Sequence, residues 1–360
     1  MRFLNKKLMS LKDEIFGMDL SDLSIKTMRI VNSGKRDKVK SFSCIEVPPG
    51  IFEDGKILNK EKAIFFIREA LKRATPEKIK TKKVFCSLPE SKVFLRLITI
   101  PELKEAEMDE AIKWEMEANI PLPINQVYYD WQVIDSGVKG KQDVLMVATE
   151  KKIVDDMMSL FESAGIEVFG LEVESTASAR SLIEQNGKEP PKNSLIIDLG
   201  SQRTSFIIVV NGITCFTSSI PFSSDAINDA ITKDLGIDAR EADKIKSSQG
   251  IEVADESNPI FKSIQYLLEN LTMEVEKTLD FYGETFKGKP AIEKIILSGG
   301  GSNIKGITTF LGKKINKRIE MGNPWINLKL DKNGRVINNV NSIRYSTAIG
   351  LAIRGLNYEN

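Results

Sequence analysis

The chain of 360 residues contains no histidine. That absence excludes Ser-His-Asp and Cys-His catalysis, histidine zinc sites and imidazole general bases. Any acid–base work must fall to Asp, Glu, Lys or Tyr. Cysteine is scarce. Cys44, Cys86 and Cys215 lie far apart with no Cys-x-x-Cys spacing, which argues against a disulfide framework or a zinc site and for reduced thiols in a cytoplasm. Neither sign of charge prevails: 51 Lys and Arg stand against 50 Asp and Glu, for a net charge of +1. No global field therefore draws the protein to nucleic acid or membrane. No apolar run is long enough to span a bilayer, and no signal peptide is visible. The length exceeds what one hydrophobic core usually serves, so two large domains are expected.

What is present reads as alternating strands and helices. Near the start, Leu4, Leu8, Leu11 and Ile15 fall at helical spacing beside Arg2, Lys6, Lys7 and Lys12. This segment is either a helix docked on its own protein or an amphipathic stretch that touches anionic lipid or a partner. Residues 16–31 read as two short strands around a polar turn. Residues 59–74 read as a helix that stops at Thr75-Pro76. Strands are expected at 84–89 and 93–100. A helix follows over 102–119, with Met108, Ile112 and Met116 on one face, and then a turn and strand over 121–134.

From residue 143 the order becomes βαβα, the mark of a sheet covered by helices. It comprises a strand at 143–149, a helix over 151–165, a strand at 166–173 and a helix over 175–187. The polar stretch 186–193 is the linker candidate. The pattern then restarts with two or three strands over 194–221 and a helical region over 223–249. A long helix follows, with apolar positions from Phe261 to Phe286. Residues 291–311 read as strand, glycine turn and helix, and a small-residue helix closes the chain.

Two segments share one plan: FGMDLSDLSIKTMRI near the start and LIIDLGSQRTSFIIV near the middle. Each has an apolar strand, an Asp at its end, a small-residue turn and a second strand. The echo predicts two similar halves that face each other. In such a turn, backbone N–H groups can approach phosphate oxygens while the Asp holds Mg²⁺ through water. Asp19, with Ser21, Asp22, Ser24 and Lys26, marks the first turn. Asp198, with Gly200, Ser201, Gln202 and Thr204, marks the second. A third segment, Gly299-Gly300-Gly301-Ser302, lets the chain pass flat against a base or ribose. Each turn alone is equally a plain hairpin or loop.

Taken together in this order, the three segments resemble the two phosphate motifs and the adenosine motif of the actin, heat-shock chaperone and sugar-kinase superfamily. VESTASA at 173–179 and YSTAIGLAIRG at 345–355 are similar to its two connecting helices. ADKIKSSQG at 242–250 is similar to its adenosine-flanking helix, which would place Asp243 and Lys246 beside the nucleoside. Within the superfamily, AIKWEMEANIPLPINQVYYDW at 111–131, with LTMEVEKTLDFYGETF and GNPWINL, resembles the PilM family of type IV pilus assembly proteins, which are FtsA-like.

The resemblance implies an α/β actin-like ATPase fold, with two RNase H-like halves around a nucleotide cleft that takes ATP and Mg²⁺, and a small FtsA-type inserted subdomain. The expected division is 1–88 with 151–190, an insertion at 89–150, 191–230 with 288–360, and a helical part at 231–287. It also implies a partner, the cytoplasmic N-terminal peptide of a PilN-like single-pass membrane protein in the pilus assembly platform. The chain would then be cytoplasmic, peripheral at the inner face of the membrane. Trp114, Leu95 and Leu97 are the candidates for the peptide's wall, and Glu174 is the aligned catalytic acid. Ser21 stands where the family has glycine, and Asp22 adds negative charge beside the expected phosphates. Ser175 replaces the family's proline after the acid, so hydrolysis is expected to be weak or absent. A small-molecule kinase and a filament-forming relative of FtsA or MreB are the alternative readings.

Overall fold

The structure, a computed structural model, describes residues 14–34, 36–134, 139–185, 187, 189–251, 257–286, 289–330, 337 and 339–358. The amphipathic helix expected over residues 1–15 lies outside them up to residue 13, and its last apolar position, Ile15, belongs to a strand instead.

The first half builds a six-stranded sheet. Strand β1 (Ile15–Ser21) turns antiparallel into β2 (Ser24–Ser33), with Asp19 opposite Lys26, and β2 pairs in turn with β3 (Arg36–Glu46). A small hairpin, β4 (Phe52–Glu53) and β5 (Lys56–Ile57), leads to helix α1 (Lys60–Lys72), whose N-cap Asn59 side chain accepts the Lys62 N–H. The short β6 (Thr75–Pro76) lies along β3, and β7 (Lys83–Leu88) runs parallel to β1.

An excursion follows: β8 (Val93–Pro101), α2 (Glu105–Asn119), β9 (Val127–Ile134) and β10 (Lys141–Glu150). Helix α3 (Lys151–Ala164), ended by left-handed Gly165, returns the chain to β11 (Glu167–Val173), parallel to β7, and then α4 (Glu174–Leu182). The sheet order is β11-β7-β1-β2-β3-β6. Phe16, Met18, Val84 and Cys86 pack on its α1 and α3 side with Ile67, Leu160 and Phe161.

The second half repeats the plan. Strands β12 (Ser194–Leu199), β13 (Thr204–Val210) and β14 (Ile213–Ile220) form an antiparallel meander. Helices α5 (Ser224–Leu235), α6 (Ala239–Ser248) and α7 (Pro259–Thr285) begin at side-chain caps from Ser223, Asp238 and Asn258. The expected stripe of α7 is the buried one, with Ile264, Leu268, Leu271 and Val275 in the core. Strand β15 (Lys294–Ser298), parallel to β12, leads through the glycine turn to α8 (Ile307–Ile315) and β16 (Ile319–Met321). The short α9 (Asn339–Ser342) and the long α10 (Ser346–Tyr358) complete the chain.

One connection runs against sequence order. The strands of the excursion extend the second half's sheet, giving β16-β15-β12-β13-β14-β8-β10-β9. The seam is a single backbone pair, Phe216 opposite Arg96. The Arg96 guanidinium lies 5.3 Å from the Phe216 ring centre, and Lys289 meets the buried Asp143 at 2.9 Å. Over the excursion, Met108, Ile112 and Met116 pack on Val127, Val144, Met146 and Ala148, the α2 face expected from spacing.

Helices α4 and α10 lie between the sheets and touch through small residues. A Cβ on Gly350 would stand 1.8 Å from the Ala177 carbonyl oxygen, and one on Gly17 would stand 2.5 Å from that of Ala348. Ser178 and Thr347 hydroxyls meet at 3.0 Å. Helix α4 ends at Leu182, short of the expected 187. The Asn327 amide, distant in sequence, donates to the Arg180 and Ile183 carbonyls and accepts the Gln185 N–H at 2.8 Å. A tertiary cap thus overrides local helix propensity.

Because backbone meets backbone at Gly350, Gly350→Ala should destabilise the protein by about 1–3 kcal/mol in urea unfolding. An unchanged midpoint would mean that α4 and α10 do not pack this closely.

Candidate functional site

The C-terminal ends of β1, β7, β12 and β15 and the start of α4 converge on one cavity of about 230 Å³. Asp19, Asp198, Gly299 and Gly300 all line it, together with Ser21, Asp22, Lys26, Gly200, Ser201, Gln202 and Glu174. The duplicated turns are therefore brought face to face. The same folding logic produces each one: an apolar strand buried in a sheet, a polar residue at its last exposed position, and a tight reversal. In the second turn the Gly200 N–H donates to the Arg203 carbonyl at 2.9 Å, and the Ser224 N–H at the start of α5 donates to the Gly200 carbonyl at 3.0 Å. Gly299 adopts φ +80°, and a Cβ there would fall 2.3 Å from Asp198 Oδ1 and 2.4 Å from the Leu199 carbonyl oxygen. Only glycine allows the third loop to lie against the second turn.

The cavity is rich in carboxylates. Asp19 pairs with Lys26 at 3.0 Å and accepts the Ser87 hydroxyl at 3.2 Å. Burial, then the charge of Asp19, pushes the Asp198 carboxyl up to about 6. Burial, then Asp19 and Glu90, pushes Glu174 well above the usual carboxylate range. Burial likewise raises Glu90. Burial opposes the charge on Lys26, but the combined attraction of Asp19 and Cys44 outweighs it and raises its pKa. The interior thus holds more negative charge than Lys26 offsets, which is an environment that favours a bound cation. Among the described residues no group of three or more His, Cys, Asp or Glu side chains stands close enough to hold a metal ion directly. Asp19 and Asp198, both facing the cavity, fit an ion held through water.

Asp22 has a different role from the one its sequence position implies. Its carboxylate accepts the Asp54 N–H at 2.8 Å and the Gly55 N–H at 3.5 Å, so it fixes the tip of the β4–β5 hairpin at the cavity rim. Asp54 in turn accepts the Ser91 hydroxyl at 2.5 Å and pairs with Lys92.

Six expected residues do not line the cavity. Ser24 sits in the β2 ladder opposite Ser21 and Glu46. Thr204 is fully buried, donating to the Phe222 carbonyl at 2.9 Å, and strand alternation presents its neighbour Ser205 instead. Gly301 and Ser302 are buried, with the Ser302 hydroxyl donating to the Gly299 carbonyl at 2.7 Å. Lys246 is 1% exposed and fastens α6 to α5 through Asn228 at 2.7 Å and Ser224 at 3.3 Å. Asp243 pairs with Lys246 from the exposed side at 2.9 Å.

Sequence reasoning missed Glu90, Ser91, Arg203, Arg344, Ser346 and Thr347 in the lining. The Ser346-Thr347 pair lay within a recognised helix motif. Glu90 and Ser91 carried no signal, because only the β7-to-β8 turn brings them in.

The three candidates for a peptide wall do not converge. Trp114 is 66% exposed on α2. Leu95 is buried, and Leu97 packs with the second half's core, whereas Phe94, Ile98 and Ile100 join the α2 cluster. The two-residue period of a strand turns Leu95 and Leu97 away from the α2 side. Of the three, Trp114 offers the most free surface, and Leu97 is half-buried.

Comparison with known proteins gives a consistent set. A family profile described as "Type IV pilus assembly protein PilM" matches residues 17–356. The structure superposes on the solved "PilM-PilN type IV pilus biogenesis complex" with a TM-score of 0.79 at 25% identity, covering 95% of this chain and 98% of that one. It superposes on MreB 5 of Spiroplasma citri bound to AMPPNP with a TM-score of 0.53 at 14% identity, covering 94% and 95%. By sequence it is similar to cell division protein FtsA. Identity is 25% over 249 residues for Buchnera aphidicola, covering 62% of this chain and 58% of that one. It is 23% over 283 residues for Neisseria meningitidis, covering 69% and 66%. The chain thus spans under two thirds of the length of these FtsA relatives. Among the described residues no helix is long and apolar enough to cross a membrane.

The raised Asp198 carboxyl fixes a pH dependence. Between its ordinary value of 3.8 and about 6, the folded form keeps a proton that the unfolded chain has lost. Stability without ligand should therefore fall as pH rises through that window, and the raised Glu174 and Glu90 carboxyls add falls of the same sign. Asp198→Asn should make this fall shallower by the share of Asp198 and stabilise the ligand-free protein at pH 7 by about 3 kcal/mol. Urea unfolding across the window checks both signs, and destabilisation by the Asn variant at neutral pH would contradict the electrostatic picture.

Proposed function

The chain belongs to the PilM family of type IV pilus assembly proteins and has the actin-like ATPase fold, and from this premise we propose that it is an ATP-binding scaffold of the pilus assembly platform. It holds the N-terminal cytoplasmic peptide of a PilN-like membrane protein and is thereby peripheral at the inner face of the membrane. The observation that carries the nucleotide part is the meeting of Asp19, Asp198 and Gly300 in one cavity. Backbone N–H groups of the two turns would take the phosphates, Asp19 and Asp198 would hold Mg²⁺ through water, and the Gly299–Gly300 loop would meet the nucleoside. Mg²⁺ supplies the positive charge that lets a triphosphate enter a carboxylate-rich cavity. Arg203, Arg344, Ser346 and Thr347, also in the lining, join the binding set.

Hydrolysis is slow in this reading. Burial, then the charge of Asp19, pushes the Glu174 carboxyl well above the usual carboxylate range, and its Oε2 accepts the Glu90 N–H at 3.4 Å. The more a carboxyl is held in its protonated form, the less it serves as a base toward water. Nucleotide then acts by stabilising the closed form. The division into 1–88 with 151–190, 89–150, 191–230 with 288–360, and 231–287 belongs to the same proposal. Separate apolar clusters around Phe161 and around Ile112 support the first two parts, whereas one cluster joins Leu195 and Ile295 to Leu268 across the last two. Trp114, exposed on α2, anchors the peptide.

Calorimetry tests the nucleotide claim. ATP should bind with Mg²⁺ and bind at least tenfold more weakly with EDTA, and Asp198→Asn should lose Mg²⁺-dependent affinity even though it stabilises the empty protein. Equal affinity with and without Mg²⁺ would count against the assigned roles of Asp19 and Asp198. For the partner, Trp114→Ala should weaken a PilN-like N-terminal peptide by about 2 kcal/mol, close to thirtyfold, with ATP affinity unchanged. No peptide binding in either the presence or the absence of ATP would remove the partner.

A further inference from the structure

The short β4–β5 hairpin touches both the cavity and the foot of the inserted strands. Its tip, Asp54 and Gly55, lines the cavity rim together with Ser91 and Arg203. The Asp22 carboxylate of the first turn accepts the Asp54 N–H at 2.8 Å and the Gly55 N–H at 3.5 Å. Asp54 reaches onward. One of its carboxylate oxygens accepts the Ser91 hydroxyl at 2.5 Å, and the other pairs with the Lys92 ammonium. Gly55 leaves no slack in the contact. It adopts φ +76°, and a Cβ there would fall 2.3 Å from Pro89 Cγ and 3.3 Å from Lys92 Cγ.

Residues Glu90–Lys92 form the single helical turn from which β8 departs. The strand that leads back, β10, ends at the same place. The Thr149 hydroxyl donates to the Lys92 carbonyl at 2.8 Å, and Thr149 stands opposite Val93. Both strands that carry the insertion thus meet the first half at Lys92. The Glu90 N–H donates to Glu174 Oε2 at 3.4 Å, so α4 holds this helical turn as well.

Charge ties the tip to the second half. Burial opposes the charge on Asp54, but hydrogen bonds from Lys92 and Ser91, with the attraction of Lys92 and Arg203, outweigh it and hold the carboxyl below its usual range. Arg203 belongs to the turn after β12, where its Nε donates to the Ser219 hydroxyl at 2.7 Å. Asp54 is therefore suspended between two turns that meet at the cavity. A ligand that grips both turns fixes Asp22 and Arg203, and through them the tip.

We propose that the β4–β5 tip couples the cavity to the insertion, with Asp54 as the positioning residue that passes occupancy of the two turns to the foot of β8 and β10. This rests on the nucleotide reading of the cavity and adds to it a link with the surface that carries Trp114. The two states differ in how tightly the foot is held, not in fold. Free turns let the Asp54 clasp open, and bridged turns keep it shut. Asp54 is partly exposed, so its ion pair alone contributes little to stability. A coupling of about tenfold, modest for linked sites, is expected.

The test is amide hydrogen exchange on the full chain, with and without Mg²⁺ and ATP at a concentration that calorimetry shows to be saturating. In the unsubstituted chain, nucleotide should slow exchange about tenfold over residues 20–24 and over residues 91–97. In Asp54→Asn it should still slow exchange over 20–24 but change it by less than about twofold over 91–97. Lys92→Met keeps the aliphatic stem, loses the ion pair and should behave like Asp54→Asn. A clasp with a structural role only would raise exchange over 91–97 in both variants by one factor, with and without nucleotide. That unchanged ratio would overturn the proposal, as would nucleotide binding that protects 20–24 alone in the unsubstituted chain. No ATP binding by calorimetry would remove the nucleotide reading and this coupling with it, so the two failures are told apart.

Discussion

Everything at the cavity depends on how closely α4 and α10 approach. Gly350 lies against the Ala177 carbonyl, and Gly17 of β1 lies against Ala348, with no room for a Cβ at either place. Backbone contact of this kind sets the spacing between the sheets to within a methyl group. That spacing brings Asp19 and Asp198, carried on separate sheets, to one cavity. Larger side chains on these helices would give each half an adequate core but would push the two acids apart.

The second constraint is electrostatic, and it opposes the first. Packing places Asp19, Glu90, Glu174 and Asp198 around the cavity, with Asp22 and Asp54 at its rim and Lys26 as the buried counter-charge beside Arg203 and Arg344. The protein partly relieves this by raising the Glu174 carboxyl well above the usual range and Asp198 to about 6. These carboxylates cost folding energy, which a bound cation would relieve. Such a site is costly for folding and useful for binding, because the energy recovered appears as affinity.

The inserted strands add a mechanical feature. Strand β8 comes from a loop of the first half but joins the edge of the second half's sheet through one backbone pair, a cation–π contact and the Asp143–Lys289 ion pair. The neighbouring strands β13 and β14 carry Ser205 and Ser219 into the cavity lining. Surface on α2, including Trp114, is thus connected to the cavity by continuous sheet.

Much of this was legible in the chain itself. Strand and helix identities followed from side-chain periodicity, because the buried face of an element must repeat with its backbone. The Asp-small-residue turns at 19–22 and 198–201, and the glycines at 299–300, were visible because a tight turn admits few residue types. The absence of histidine, also set by sequence alone, removed whole classes of catalysis. Tertiary structure decided what local pattern does not encode. It capped α4 early with Asn327, buried Thr204 and presented Ser205, and turned Leu95 away from Trp114. It brought Glu90 and Ser91 to the cavity and gave Asp22, in the cavity lining, the N–H groups of a hairpin tip. Local chemistry sets which conformations a segment can adopt, but neighbours reached only through the folded topology set which side of a strand meets solvent and which partner a carboxylate finds.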